Sequence, residues 1–360
     1  MIMLICTWVV YGQLKYLRNI DLGFNKEQVL TLTANANSDI RSKILAFKND
    51  ARKDPQIFSV STATNTPGSP NMNFNLFSIE SKNGFTDKGV DVYAVDEDFF
   101  STLGMQVKKG RNFSGLSDTL RSIVVNENMV KIFAWDNPIG KKIKNPGDTS
   151  GYYMEVVGVV KDFNQKSLYN PIAPLILIYR PNNNGIQLKL NASNIPATIA
   201  NIEKSWKTNF PDLPFSYTFL DQDFDSQYAA DQKRGKIFTA FSVLTILITC
   251  LGLLGLIAFT TEQRQKEISV RKILGAGMAQ IIPLVTKNFV LLVIISCLIA
   301  FPIAYLFMDR WLKVFPYNTG LSIAPFLLSA FTVLLITLLT VIFHTLKAAV
   351  ANPVKSLRTE

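Results

Sequence analysis

The chain has 360 residues, of which 48% are hydrophobic, and a formal net charge of +10; its mean hydropathy is +0.19. Residues 25–235 carry 24 basic against 22 acidic side chains, whereas the remainder carries 13 against 5 in segments that flank apolar runs. Basic residues beside apolar runs are what membrane orientation requires, whereas a nucleic-acid footprint would lie on the folded region, so nucleic acid is excluded as a partner and membrane lipids are implied.

The first apolar run, residues 1–12 (MIMLICTWVVYG), offers only about ten apolar residues before Gln13, too few to span. It lacks the basic n-region and small-residue cleavage site of a signal peptide, and reads as the end of a truncated spanning helix. Residues 25–232 read as a mixed α+β domain of roughly 200 residues, enough to bury its own core. Ser38 is placed to cap a helix over Asp39–Asp54, which Pro55 stops. Strands are expected over Phe58–Thr64, Asn73–Glu80, Val90–Val95, Ser122–Val125, Val156–Val160 and Leu175–Tyr179. Helices are expected over Asp96–Leu103, Asn126–Trp135 and Ile195–Phe210, with Thr64–Asn71 (TNTPGSPN) as a loop.

Three runs are long enough to cross a ~30 Å hydrocarbon core at ~1.5 Å per residue: Lys236–Phe259, Asn288–Met308 and Leu321–Leu346. Pro302 in the second is expected to kink the helix rather than end it. The connector 260–287 and the tail 347–360 are basic and therefore cytoplasmic, while the short, nearly neutral loop 309–320 lies outside. By parity the 25–232 domain also lies outside.

Catalytic chemistry is searched for without success. The sequence holds no G-x-x-x-x-G-K-[ST] phosphate loop. Cys6, Cys250 and Cys297 all lie in apolar runs and the single histidine, His344, ends one, so no disulfide framework, no metal site and no Ser-His-Asp or Cys-His arrangement is expected in the outer domain. Asp221, Asp223 and Asp225 (DQDFD) resemble the start of a calcium loop, but Ser226 and Gln232 stand where Gly and Glu are needed, leaving a solvated acidic turn. No catalytic residue and no cofactor are expected. The outer domain reads as a binding or force-transmitting module.

The connector is the most informative stretch. Placed at 100° per residue, Val270, Ile273, Leu274, Gly277 and Ile281 share one stripe, suited to packing under the membrane bundle. Arg264, Ile268, Arg271 and Lys272 fall on the opposite side, and Glu267 stands four residues before Arg271 in the favourable order. An isoleucine amid a basic face is the pattern of an interface core with a charged rim. Gly275 and Gly277 are placed to end the helix or admit close backbone approach.

EQRQKEISVRKILGAG resembles the cytoplasmic coupling segment of FtsX-like permeases, approximately R-x-x-E-I-x-x-R-K-x-x-G-A, with Arg264, Glu267, Ile268, Arg271, Lys272, Gly275 and Ala276 matching in position. The tail ANPVKSLRTE is similar to the usual end of these permeases, and NENMVKIFAWDNPIGKKI and EVVGVVKDFNQKSLYNPIAPLIL resemble the MacB-type periplasmic core domain. The resemblance covers essentially the whole chain. It implies a type VII ABC-transporter permease: one helix, a periplasmic domain and three further helices in the bacterial inner membrane. It also implies pairing with a cytoplasmic ATPase on another chain or domain, a second permease half or homodimer partner, and a possible periplasmic adaptor. The implied role is mechanotransmission, for efflux or lipoprotein or peptide handling. The incomplete first helix departs from the family pattern and marks the chain as the C-terminal half of a doubled-length permease. Two alternatives are a membrane-anchored regulatory scaffold of the FtsX division type and a membrane-tethered hydrolase.

Overall fold

The structure is a computed structural model that describes residues 1–34, 40–69, 73–191, 194–263, 270, 271, 274 and 277–350, with the backbone alone described at 261, 278–282, 284, 285 and 344–350. The chain divides into two compact units, Ile20–Ala229 and Met1–Asn19 with Ala230–Glu360.

The first unit is built on one sheet of eleven strands: β1 (Val29–Thr33), β2 (Ile57–Ala63), β3 (Asn73–Ser81), β4 (Gly84–Val95), β5 (Val107–Gly110), β6 (Ser122–Asn126), β7 (Lys142–Lys144), β8 (Met154–Val160), β9 (Leu175–Tyr179), β10 (Gly185–Leu190) and β11 (Tyr217–Phe219). Their order is β11-β1-β10-β2-β4-β3-β7-β8-β6-β9, and β9 pairs again with β4. The sheet thus has an open antiparallel arm (β11, β1, β10, β2) and a closed ring of six strands (β4, β3, β7, β8, β6, β9), with β5 added as an eleventh strand on β8. Closing a sheet on itself removes its unpaired edges.

In the arm, register puts Leu30 opposite Leu188, Leu32 opposite Ile186, and Leu188 opposite Val60. Directly opposed residues share a face, so these five form one apolar surface. Two helices cover it, α2 (Ile40–Ala51), which follows α1 (Ile2–Asn19) in the chain, and α5 (Ile195–Asn209). Ile40, Ile44, Phe47 and Ala51 recur at helical spacing and bury together with Ile202, Trp206 and Phe210. Phe47 meets Trp206 edge-on at 5.5 Å between ring centres. Asn194 caps α5, accepting from the Ala197 N–H at 3.3 Å, and a proline stands in the first turn.

The ring encloses its own core of Ile79, Val92, Ile123, Val125, Ile143, Val156 and Ile176. The short helix α4 (Glu127–Ile132) packs on it through Met129, Asn126 capping α4 by accepting from Met129 N–H at 3.1 Å, whereas the short helix α3 (Phe99–Thr102) lies against β2 of the arm. Gly89 of β4 lies beneath the Phe74 ring of β3; a Cβ built at Gly89 would stand 2.1 Å from that ring, so no larger residue fits without moving it.

Arm and ring meet at a single ladder position, Ala63 opposite Val95. A buried polar cluster reinforces the seam. Asp96 accepts from Thr62 N–H at 2.7 Å, Thr62 Oγ1 at 3.0 Å and Lys48 Nζ at 2.7 Å; Lys48 also reaches Asp98 at 2.7 Å. Lys48 is only 4% exposed. Burial holds the Asp96 carboxyl above the ordinary carboxylate value, against the opposing pull of Lys48 and Thr62.

The DQDFD stretch departs from the expected turn. It forms the helix α6 (Leu220–Ser226), because Leu220 and Phe224, four residues apart, both insert into the unit while Asp221 and Asp223 fall in its first turn, where the helix dipole favours them.

In the second unit α1 runs Ile2–Asn19, seven residues past the expected end at Gly12, and the long helices are α7 (Ala229–Gln263), α8 (Met278–Leu312) and α9 (Ala324–Val350). Three stretches are long and apolar enough to cross a membrane: Ala229–Thr260, Thr286–Leu312 and Ala324–Phe343. Pro302 lies inside α8 without ending it. Ile5, Cys6 and Val9 of α1 pack against Ala304, Met308 and Leu312 of α8 and Phe326 of α9. Thr7 and Ser242 join α1 to α7 through a 2.9 Å hydrogen bond. Gln13 is fully buried; its Nε2 donates to the Tyr317 carbonyl at 2.8 Å and its Oε1 accepts from the Thr319 N–H at 3.1 Å. A polar residue near the end of the apolar stretch thus fastens the α8–α9 loop to α1.

Candidate coupling site between the spanning helices

The stretch singled out in the sequence joins α7 to α8. Arg264, Glu267, Ile268, Lys272 and Gly275 lie outside the described residues, as does the helix cap expected at Ser38. Arg271 and Gly277 are described.

Val270 and Arg271 are helical, and the Leu274 N–H donates to the Val270 carbonyl at 3.0 Å, one α-turn. Arg271 is solvent-exposed and engaged in a contact. Gly277 is extended (φ −74°, ψ 165°) and serves as the N-terminal cap of α8. One continuous helix from Val270 to Ile281 is therefore not formed. This corrects the expected stripe: residues on either side of an extended glycine do not share a helical face. Val270 is 51% and Leu274 81% exposed, so neither packs beneath the bundle. Gly277 does mark a helix boundary, but a Cβ built there meets no atom within 4 Å among the described residues, so close approach is not what glycine provides at this position.

The three long helices meet at Ile257 of α7, Phe289 of α8 and Val341 of α9. The faces of α7 carry little else: Phe241, Leu244, Leu247, Ile248 and Leu251 are exposed, as expected of side chains solvated by lipid. Four hydroxyls on α7 (Thr239, Thr245, Thr249 and Thr260) each donate to the carbonyl four residues back, which satisfies them without water. Among the described residues no group of three or more His, Cys, Asp or Glu side chains could hold a metal ion.

Sequence reasoning missed two functional-looking features. The Gln13 clamp carried a signal, a carboxamide embedded beside an apolar run, where an unpaired polar group is costly. The Lys48–Asp96 seam carried none, because its partners stand 48 residues apart and meet only through the sheet order.

Comparison with known proteins bears on the whole chain. A family model described as the MacB-like periplasmic core domain matches residues 6–205, and one described as the FtsX-like permease C-terminal matches residues 239–353. A relative named "Macrolide export ATP-binding/permease protein MacB" from Aggregatibacter actinomycetemcomitans is 24% identical over 312 residues, 80% of this chain and 45% of the relative. A protein of the same name from Neisseria gonorrhoeae is 20% identical over 226 residues, 59% of this chain and 34% of the relative. The chain thus spans less than half the length of these relatives. Among solved structures, the periplasmic region of MacB from Actinobacillus actinomycetemcomitans aligns with a TM-score of 0.41 and 18% identity over 59% of this chain and 97% of that one. The extracellular domain of the noncanonic ABC-type transporter YknZ from Gram-positive bacteria aligns at 0.36 and 13% identity, over 53% and 97%. With the periplasmic core model covering more than half of its length and the permease model its last three helices, the chain belongs to the FtsX-like, MacB-type family of ABC transporter permeases, multi-pass proteins of the inner membrane.

Proposed function

We propose that this chain is the mechanotransmission subunit of an ABC transporter, in which ATP hydrolysis by a separate cytoplasmic ATPase drives motion of the periplasmic domain. The observation that supports this most is the serial order of the two family matches, a periplasmic core followed by a permease segment, with the basic connector falling inside the second. In this reading residues 25–232 are the periplasmic domain, 236–259, 288–308 and 321–346 the spans following the segment 1–12, 309–320 an outer loop, and 260–287 and 347–360 cytoplasmic. Arg264, Glu267, Ile268, Arg271 and Lys272 form the ATPase contact. The exposure of Val270 and Leu274 fits a connector that completes its burial against a partner. A second permease half or a second copy, lipids and a periplasmic adaptor are the further partners, and the work done is efflux or the handling of lipoproteins or peptides.

The test is copurification of the ATPase from the native cells and ATP-coupled activity, after Ile268→Asp and Arg271→Glu. A loss of about tenfold or more in either is expected, since both an apolar anchor and its charged rim are removed. Wild-type levels of both in both variants would overturn the docking assignment. A regulatory scaffold of the FtsX division type would instead keep its periplasmic partners bound when ATP turnover is abolished.

A further inference from the structure

Toward the end of the spans that leads into the α8–α9 loop, α8 and α9 enclose an open groove of about 430 Å³. Its floor is apolar: Phe301 and Pro302 of α8 face Phe326 and Leu327 of α9, and the Phe301 and Phe326 rings meet edge-on at 5.4 Å. Two hydroxyls stand in its walls, those of Tyr305 and Ser322, and neither has a hydrogen-bond partner among the described residues. Asp309 follows one turn above Tyr305 and Lys313 one turn further, at ~1.5 Å of rise per residue. Positions 302, 305, 309 and 313 advance by three or four residues, so they share the helix face that borders the groove. The helical path persists that far, the Lys313 N–H donating to the Asp309 carbonyl at 3.1 Å, and Tyr305 lies within electrostatic reach of Lys313. Lys313 Nζ donates to Asp309 Oδ2 at 2.6 Å. That bond uses one of three ammonium donors and one of two carboxylate oxygens, so both groups keep free hydrogen-bonding capacity.

From floor to lip the polarity therefore rises in steps: hydrocarbon, then hydroxyls, then a carboxylate beside an ammonium. Both helices are long and apolar enough to cross a membrane, so the floor opens onto acyl chains and not onto water. A glycerophospholipid carries its groups in the same order: chain, ester, phosphate, headgroup. A mere packing gap needs no hydroxyls, and a tyrosine of an interfacial belt needs no groove beside it. The two charges at the lip select among headgroups. A purely anionic headgroup meets Lys313 but is repelled by Asp309, whereas one that carries a phosphate and a primary ammonium satisfies both. We propose that this groove binds one molecule of a zwitterionic phospholipid with a primary ammonium in its headgroup. An acyl chain lies along Phe301, Pro302, Phe326 and Leu327, and the Tyr305 and Ser322 hydroxyls donate to the ester carbonyls. The phosphate accepts from Lys313 and the ammonium donates to Asp309. The site needs only α8 and α9 in a bilayer, so this inference and the ATP-coupled role proposed above fail separately.

The experiment is native mass spectrometry of the full chain in a phosphate-free detergent, with dioleoyl lipids that differ only in headgroup. Phosphatidylethanolamine is compared with phosphatidylcholine, whose quaternary ammonium has no N–H to donate, and with phosphatidylglycerol, which has no ammonium. One saturable adduct of the ethanolamine lipid is expected, with the other two retained about fivefold more weakly, the size of one exposed charge pair. Asp309→Asn should bring the three lipids to within about twofold of one another. Leu327→Trp, which fills the floor, should abolish the saturable adduct, with thermal melting of the helical signal reporting that the variant folds. Four results would each overturn the proposal: adducts that accumulate without saturating, equal retention of the three lipids by the unaltered chain, an unchanged adduct in Leu327→Trp, or lipid-free dimers in which a second copy covers the groove.

Discussion

Arm and ring share one ladder position, so their union rests on the cluster around Asp96 more than on strand pairing. Asp96→Ala removes four hydrogen bonds, those from the Thr62 N–H and Lys48 Nζ at 2.7 Å, from Thr62 Oγ1 at 3.0 Å and from the Asp98 N–H at 3.2 Å. It leaves a Thr62 N–H without its carboxylate acceptor and a nearly buried ammonium with Asp98 as its remaining carboxylate. Breaking one partner out of a buried pair costs about 3–5 kcal/mol, and the surviving Asp98 contact puts the expectation near the lower end, about 3 kcal/mol. At about 1.4 kcal/mol per decade this is roughly a hundredfold loss of amide protection. Hydrogen exchange read by mass spectrometry on the full chain should show it at β2, β4 and the Arg180 N–H, which donates to the Val95 carbonyl at 2.9 Å. Lys48→Met supplies the pH arm. Because burial already holds Asp96 above its ordinary value, folding favours its protonated form. That contribution is full below the unfolded value and lost as pH rises through the folded one. Removing Lys48 raises the folded value further, so the deficit of Lys48→Met should shrink as pH falls from about 8 to about 5. Less than a tenfold change in protection for Asp96→Ala, or a pH-independent deficit for Lys48→Met, would refute the argument.

Gln13→Leu strands the Tyr317 carbonyl and the Thr319 N–H; a destabilisation of about 2–4 kcal/mol and faster exchange at Asn318–Gly320 are expected. Between β5 and β6, Arg111 grips Asp118 through two nitrogens at 2.7 and 2.9 Å and, with the Ser114 N–H, holds its carboxyl well below the usual range. A depressed value means stability that is present above the unfolded pKa of about 3.9 and lost as pH falls below it. Asp118→Asn should therefore cost about 1–3 kcal/mol near neutrality and flatten the acid limb of a melting-temperature profile. Trp206→Ala empties the centre of the arm, where Phe47 and Phe210 pack on its ring, and is expected to cost about 3–5 kcal/mol in thermal unfolding.

The three spans and most strands of the ring are legible in sequence because their signals are local: uninterrupted apolar runs, or β-branched stretches between turn residues. Val29–Thr33 and Gly185–Leu190 carry an alternating pattern as well, yet they pair only with each other and with distant segments, and are not expected as strands from sequence. Lys142–Lys144 and Tyr217–Phe219 are three residues long, too short for any periodicity to register. The expected helix over Ile195–Phe210 begins with α5 and runs one residue past its end, and the structure sets Asn194 and Pro196 at its start. At the connector, charge and spacing identify a candidate face, but a 100° projection presumes an unbroken helix, and the extended Gly277 breaks that premise.

The closed ring of six strands has a practical corollary. Its longest hairpin turns at Lys82–Asn83, between Ser81 and Gly84, which face each other at the end of the β3–β4 ladder. Near the tip the backbone partners come from within the ring, β3 facing β4 and pairing with β7 at Ser78 and Ile79, and the neighbour that Lys82 meets is Asp136, 3.6 Å away in an exposed ion pair, so a graft at the tip leaves the ladder intact. That makes Lys82–Asn83 a natural attachment point for a spin label or fluorophore, one that would ride with the ring and report any displacement of it.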